Sequence, residues 1–340
     1  MPLFRPPHPI AWLVLMVVFV GGCRLSTLNE RPPAPVPLPR FVTGANIRPV
    51  GDARRGYGTR KARQTLERLR KLGVNTIGVL LEGHMASTGA SEVRPPSRQE
   101  VESIGAMLWD ANALGFSTVL IPHIYLDDGG PRGSIGSSDP TTQEAWWKSY
   151  QAFIDVAADT ADRSGTTLLS MGVELKALSC TPDTRAHMLA LASRVRRNYH
   201  GLLTYNANWD EAADVAFWDA LDVAGVNGYF PLVPEREMGA QRVAVRLTEI
   251  SRIIKKDLLV LEVGYKSSPD SHIRPWEWPT EVSDKVDDAG QAAAWQSVLT
   301  HWMPAPGVRG LVIWVIPTDP DDPASEPKNG FNPLLSLIHI

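Results

Sequence analysis

Cysteine is scarce: Cys23 and Cys180 are the only two in 340 residues, too few for a disulfide framework or a cysteine-rich structural zinc site. Excess positive charge is absent as well. The 34 Lys and Arg stand against 37 Asp and Glu, a net charge of -3 with no basic block, so a nucleic-acid partner is not expected. The eight histidines form no H-E-x-x-H or other paired motif, and Asp319-Pro320-Asp321-Asp322-Pro323 holds too much proline to wrap a calcium ion. No metal is expected. Acyl transfer lacks its G-x-S-x-G elbow, and Cys180 sits beside Thr181-Pro182 with no histidine near it in sequence. The glycine-rich stretch Asp128-Gly129-Gly130-Pro131-Arg132-Gly133 lacks the lysine and helix start of a phosphate-binding loop, and it reads as a loop lining a cleft. No cofactor is expected either.

What the chain has is an ordinary globular composition, 44% hydrophobic and 21% charged, with 11 Trp and 28 Pro. Near its start a single charge, Arg5, precedes the apolar run 10–20, shorter than the roughly 20 residues a spanning helix needs and suited to an export signal. Val20-Gly21-Gly22-Cys23 resembles the lipobox of bacterial lipoproteins. Residues 1–22 then read as a signal peptide and Cys23 as an acylated N-terminus that anchors an exported protein to the membrane of the cell envelope; simple secretion is the alternative. Proline-rich 31–39 favours a semi-rigid polyproline spacer, so residues 23–40 read as a tether.

From residue 41 to 340 short apolar runs alternate with stretches of helical periodicity. Eight candidate strands are 41–46, 76–81, 117–125, 167–174, 202–207, 223–229, 258–265 and 310–316. Helical segments at 62–72, 98–114, 143–162, 185–199, 242–254 and 291–302 separate them, with one short connection at 211–220. Eight strands in about 270 residues predict a single (β/α)8 TIM barrel of the α/β class. A doubly wound sheet is the other arrangement, but Thr43-Gly44-Ala45-Asn46 supplies no G-x-G-x-x-G turn after the first strand.

Barrel active sites lie at the C-terminal strand ends, so the last polar residue of each run is a candidate. Glu174 ends the fourth run and Glu262 the seventh; an unpaired charge within an apolar run costs several kcal/mol, so each should face the mouth or be paired. Trp314 ends the eighth run, Tyr229 the sixth, and Asn206-Ala207-Asn208-Trp209 the fifth. Indoles stack on the apolar faces of sugars while Asn and Tyr hydrogen-bond hydroxyl groups. His123 fits a metal ligand, a hydrogen-bond donor to a sugar or a satisfied core group, and the donor role is favoured.

Leu120-Ile121-Pro122-His123-Ile124, Arg132-Gly133-Ser134-Ile135, Met171-Gly172-Val173-Glu174-Leu175, Leu203-Thr204-Tyr205-Asn206-Ala207-Asn208-Trp209, Phe217-Trp218-Asp219-Ala220-Leu221-Asp222, Gly228-Tyr229-Phe230-Pro231-Leu232 and Leu261-Glu262-Val263-Gly264-Tyr265 together resemble glycoside hydrolase family 113. That family comprises retaining (β/α)8 enzymes of clan A, mainly endo-β-1,4-mannanases. The resemblance implies Glu174 as acid/base, Glu262 as nucleophile, Tyr229 as hydrogen-bond donor to the nucleophile and Trp314 as floor of the reacting sugar's subsite. His123, Asn206, Asn208, Trp209 and Tyr265 complete the expected substrate-binding set. Most clan A enzymes carry Asn immediately before the acid/base; here that residue is Val173. A retaining pair resists double ionisation, and the expectation is a raised pKa at Glu174 with Glu262 ionised. The expected substrate is β-1,4-linked mannan or a related β-hexose polysaccharide or oligosaccharide. A different β-glycan, or a glycan-binding lipoprotein without turnover, are the competing readings.

Overall fold

The computed structural model describes residues 34–277, 285–322 and 330–335; the export signal, Cys23 and the start of the tether lie outside them, as does part of the loop before the last barrel helix. Eight parallel strands close a barrel in sequence order: β1 (Val42–Arg48), β2 (Thr76–Met85), β3 (Ser117–Leu126), β4 (Leu168–Val173), β5 (Leu202–Asn208), β6 (Ala224–Asn227), β7 (Leu258–Val263) and β8 (Val308–Pro317). This is the expected (β/α)8 barrel. Its helices are α1 (Arg60–Lys71), α2 (Arg98–Ala113), α3 (Pro140–Ser164), α4 (Lys176–Ser179), α5 (Pro182–Val195), α6 (Arg236–Ile254) and α7 (Asp288–Trp302). Between β5 and β6 the link is a single 3-10 turn, Trp218–Ala220, matching the short connection read at 211–220.

The helices start where local chemistry starts them. Thr59, Asp139 and Asp287 each accept a backbone N–H of the first turn of α1, α3 and α7, and Ser97 and Glu100 form a reciprocal capping box on α2. Apolar residues alternate along each strand and sort into two layers. Leu80, Ile121, Leu168 and Leu261 fill the barrel interior, while Ile77, Leu120, Leu169 and Leu258 meet the helices outside.

The tether ends earlier than its proline content predicted. Ser117 Oγ donates to the Pro37 carbonyl (2.6 Å) and Thr167 Oγ1 to that of Val36 (2.7 Å), and Leu38 packs on the interior cluster. These residues sit at the starts of β3 and β4, so they plug the barrel at the end opposite the mouth. At the mouth, β2 and β3 pair over ten residues, from Thr76↔Ser117 to Met85↔Leu126, and project beyond the other strands as one wall.

Candidate active site

The two carboxylates owe their direction to irregularities in their own strands. On β7, Leu259 and Leu261 point into the barrel, but Val263 and Tyr265 belong to the outer layer. The alternation switches because β7 carries one extra residue: Val226↔Val260 is followed by Asn227↔Glu262. A bulge of this kind re-aims a side chain, and here it turns Glu262 inward. On β4, Ser170↔Thr204 is followed by Val173↔Asn206, again one residue more than on the partner. Glu174 then adopts φ +52°, a left-handed conformation that costs a non-glycine residue about 1–2 kcal/mol. Its amide donates to the Asn206 carbonyl (2.9 Å) and the next amide, of Leu175, to Tyr205 Oη (2.7 Å), so both bonds tie the strained turn to β5.

The two side chains meet different surroundings. Glu174 is 18% exposed; Asn227 Nδ2 donates to Oε1 (2.8 Å) and the Arg132 guanidinium to Oε2 (3.3 Å). Glu262 is 3% exposed; Tyr229 Oη donates to Oε2 (3.1 Å), and Oε1 has no hydrogen-bond partner among the described residues. Burial, followed by the nearby charge of Glu174, pushes the Glu262 carboxyl well above the usual carboxylate range against the pull of Arg132 and Tyr229. The expectation placed the raised pKa on Glu174 and kept Glu262 ionised; the structure corrects it, because the deeper carboxyl is Glu262 and the nearer cation sits on Glu174. The pair thus holds one shared proton to higher pH than a lone carboxyl would.

Other expected residues gather around this pair. Trp314 is buried in the interior cluster, and His123 stacks on it at 6.2 Å between ring centroids, with the exposed Tyr125 a further 4.4 Å along. Arg132 Nη1 lies 2.9 Å from Nδ1 and 2.7 Å from Nε2 of His123. Burial and that guanidinium drive the imidazole pKa far down, so the ring is neutral and accepts from Arg132 at one nitrogen. Asn206 is fully buried and its Nδ2 donates to Asn227 Oδ1 (3.4 Å), which joins it to the group that holds Glu174. Asn208 uses its side-chain oxygen on the Trp209 amide (2.9 Å), a turn-forming bond. Trp209 is half-buried between Phe230 and the exposed Trp276.

Tyr265 is placed elsewhere than expected. Its ring is fully buried, edge-on against Trp295 of α7 in the outer layer, because the β7 bulge reverses the face of every later residue. It contacts the helix layer, not the mouth.

Sequence reasoning missed Arg132, Asn227 and Glu82. Arg132 lies in the 3-10 turn Arg132–Ser134 of the loop after β3 and bridges His123 and Glu174. Asn227 ends β6, two residues before the tyrosine picked from the same run. Glu82 pairs in register with His123 on the projecting wall, where burial pushes its carboxyl up. A strand-end rule would have found Asn227 had the sixth run been ended at its first polar residue; no local signal distinguishes Arg132 from other loop arginines. Behind these groups, buried Asn46 on β1 donates across the barrel from Nδ2 to the carbonyl of Leu261 (2.8 Å), the residue before Glu262. Gly78 on β2 leaves the room that its side chain fills.

Two neighbouring carboxylates, one more accessible and held by a cation, the other buried beside a phenol, are an arrangement that can support acid-assisted displacement at carbon. The profile of Glycoside Hydrolase Family 113 matches residues 50–330. The structure is similar to that of the GH113 β-mannanase AaManA from Alicyclobacillus acidocaldarius in complex with ManMIm, at 26% identity and TM-score 0.74, covering 86% of this chain and 92% of that one. A GH113 β-1,4-mannanase complex gives 21% identity and TM-score 0.77 over 88% and 98% of the two chains. A Ruminococcus gnavus β-glucuronidase shares the fold at 12% identity and TM-score 0.58, over 82% of this chain and 44% of that one. No curated protein matches the chain by sequence. The family match spans most of the barrel, from beyond β1 to the segment after β8, and on it the chain belongs to glycoside hydrolase family 113.

Proposed function

We propose that the barrel hydrolyses β-1,4-linked mannan or manno-oligosaccharides with retention of configuration, Glu262 acting as nucleophile and Glu174 as acid/base. The observation that carries the assignment is the asymmetry of the pair: Tyr229 donates to a buried Glu262, while Asn227 and Arg132 hold a more accessible Glu174. The mannan substrate is carried over from the β-mannanases of similar structure. In the first step a Glu262 oxygen bonds to the anomeric carbon while Glu174 gives its proton to the departing glycosidic oxygen. In the second, Glu174 takes a proton from water, the water oxygen attacks the same carbon, and the glycosyl–Glu262 ester breaks to give a β product. The shared proton must reside on Glu174 at the moment of attack. Positive charge developing on the sugar favours the ionised form of Glu262, and a glycosidic oxygen at Glu174 supplies the acceptor that keeps the proton there.

Incubation of residues 31–340 with mannohexaose, read by product mass and anomeric NMR beside Glu262→Gln, tests this. Shorter β-configured products from the wild type alone are expected. Initial α-configured products, or equal cleavage by the variant, would overturn the assignment. A panel of glucomannan, cellulose, xylan and galactan reads out the second possibility, a different β-glycan. The motif at Cys23 supports a further part of the proposal, that the chain is exported and acylated there; incorporation of labelled fatty acid into the full chain but not into Cys23→Ser checks it.

A further inference from the structure

Glu211, in the loop after β5, is fully buried yet plays no part in the chemistry above. Its carboxylate accepts three hydrogen bonds: from the Asn208 amide (2.7 Å) and Tyr205 Oη (3.2 Å) on Oε1, and from Ser179 Oγ (2.8 Å) on Oε2. Burial, with a smaller push from the charge of Glu174, raises this carboxyl to about 7 against the pull of those donors. A buried carboxylate with three donors is expensive to assemble, and its bonds converge on one place. Tyr205 Oη, which donates to Glu211, is itself the acceptor for the Leu175 amide (2.7 Å). Leu175 follows Glu174, whose φ of +52° is the strained point of the β4 exit. Ser179 closes the short helix α4 that follows, and Lys176 at its start bridges to Asp210, the residue before Glu211 (2.7 Å).

We propose that Glu211, acting through Tyr205, is a positioning residue that holds the left-handed turn at Glu174 and so aims the acid at the departing glycosidic oxygen. This rests on the reading of Glu174 as the acid/base. The geometry explains why a carboxylate occupies the position. It can accept from Asn208, Tyr205 and Ser179 together, whereas a glutamine has one accepting oxygen and must set its own N–H against a donor. When Tyr205 turns its hydroxyl away from Glu211, the lone pair that receives the Leu175 amide turns with it. Glu174 contacts neither Glu211 nor Tyr205 by a side-chain bond; the coupling runs through its backbone.

The test uses leaving groups that need the acid to different degrees. Phenyl and saccharide leaving groups require protonation and 2,4-dinitrophenolate does not. In Tyr205→Phe and Glu211→Gln, kcat/KM for mannohexaose and for phenyl β-mannobioside is expected to fall roughly 10- to 100-fold, within the range of a misplaced general acid, with KM little changed. For 2,4-dinitrophenyl β-mannobioside it should stay within about threefold. Ser179→Ala, which removes a donor to Glu211 without touching the Leu175 amide, should fall between wild type and these variants. Hydrogen exchange at the Leu175 amide, slow in the wild type, should quicken in Tyr205→Phe. Equal losses on both aryl glycosides, or no loss on either, would overturn the relay, as would unchanged exchange at Leu175. A wild type that cleaves the aryl glycosides but not mannohexaose removes the mannan reading and leaves the relay supported or refuted by the aryl pair. A wild type inactive on all three removes Glu174 as an acid, and the relay with it.

Discussion

The ends of β4 and β7 make a controlled comparison within one molecule. Each strand carries one extra residue, each turns a glutamate into the mouth, and the two carboxyls belong to the same amino acid. Everything else differs: Glu174 is partly solvated, in a left-handed turn, bonded to an amide and a guanidinium, while Glu262 is buried on its bulged strand with a phenol on one oxygen and, among the described residues, no hydrogen-bond partner on the other. In the proposed mechanism identical side chains take opposite roles because of what lies within a hydrogen bond of each. The accessible one is assigned proton exchange with substrate and water. The enclosed one is assigned the bond to carbon.

Removing either carboxyl breaks the comparison outright. Glu262→Gln should lower kcat below about 10⁻⁴ of wild type on every β-glycoside, as loss of a nucleophile does. Glu174→Gln should cost roughly 10²–10⁴-fold in kcat/KM, but only where the leaving group needs a proton. On a dinitrophenyl glycoside kcat falls as well, because the second step loses its base; assays of both constants on mannohexaose and a dinitrophenyl glycoside separate the two.

Arg132→Met sharpens the comparison by removing the cation that touches Glu174 and pulls Glu262 down. Loss of that positive charge raises the Glu262 carboxyl further, so the acidic limb of the kcat/KM profile should move to higher pH, with about a tenfold loss in kcat. Tyr229→Phe takes away the phenol that donates to Glu262 and should shift the same limb in the same direction, by less, since the Arg132 charge pulls the carboxyl down more than the phenol does.

The smallest effect is on stability. With its folded pKa raised, Glu262 keeps a proton in the native state that the unfolded chain releases above about pH 4.3. Native stability should therefore decline as pH rises through the range between the unfolded and folded values. Glu262→Gln abolishes that contribution, and a thermal melt at pH 8 should show Tm higher by about 2 °C or more, with less difference at pH 4.

The barrel was largely legible in the sequence because β/α alternation is a one-dimensional signal. All eight strands, the short link before β6 and both glutamates lie where the apolar runs place them. What escaped depends on three-dimensional register. Counting by twos along β7 from Leu259 sends Tyr265 to the interior; the bulge beside Glu262 sends it to α7 instead. Arg132 reaches Glu174 only because the loop after β3 folds back across the mouth. The proline-rich tether looked uniform, but its Val36 and Pro37 carbonyls find hydroxyl donors on β3 and ahead of β4 that composition does not reveal.

The Asn46 amide that spans the barrel to the Leu261 carbonyl makes the hidden floor part of the catalytic lineage. An alanine at Gly78, the mildest change available, would meet the Asn46 side chain and tug on the backbone one residue from Glu262. On the proposed role of Glu262, drift at that floor is filtered by turnover, and a mutant library randomised in the second strand is expected to return clones that fold, bind and do not cut.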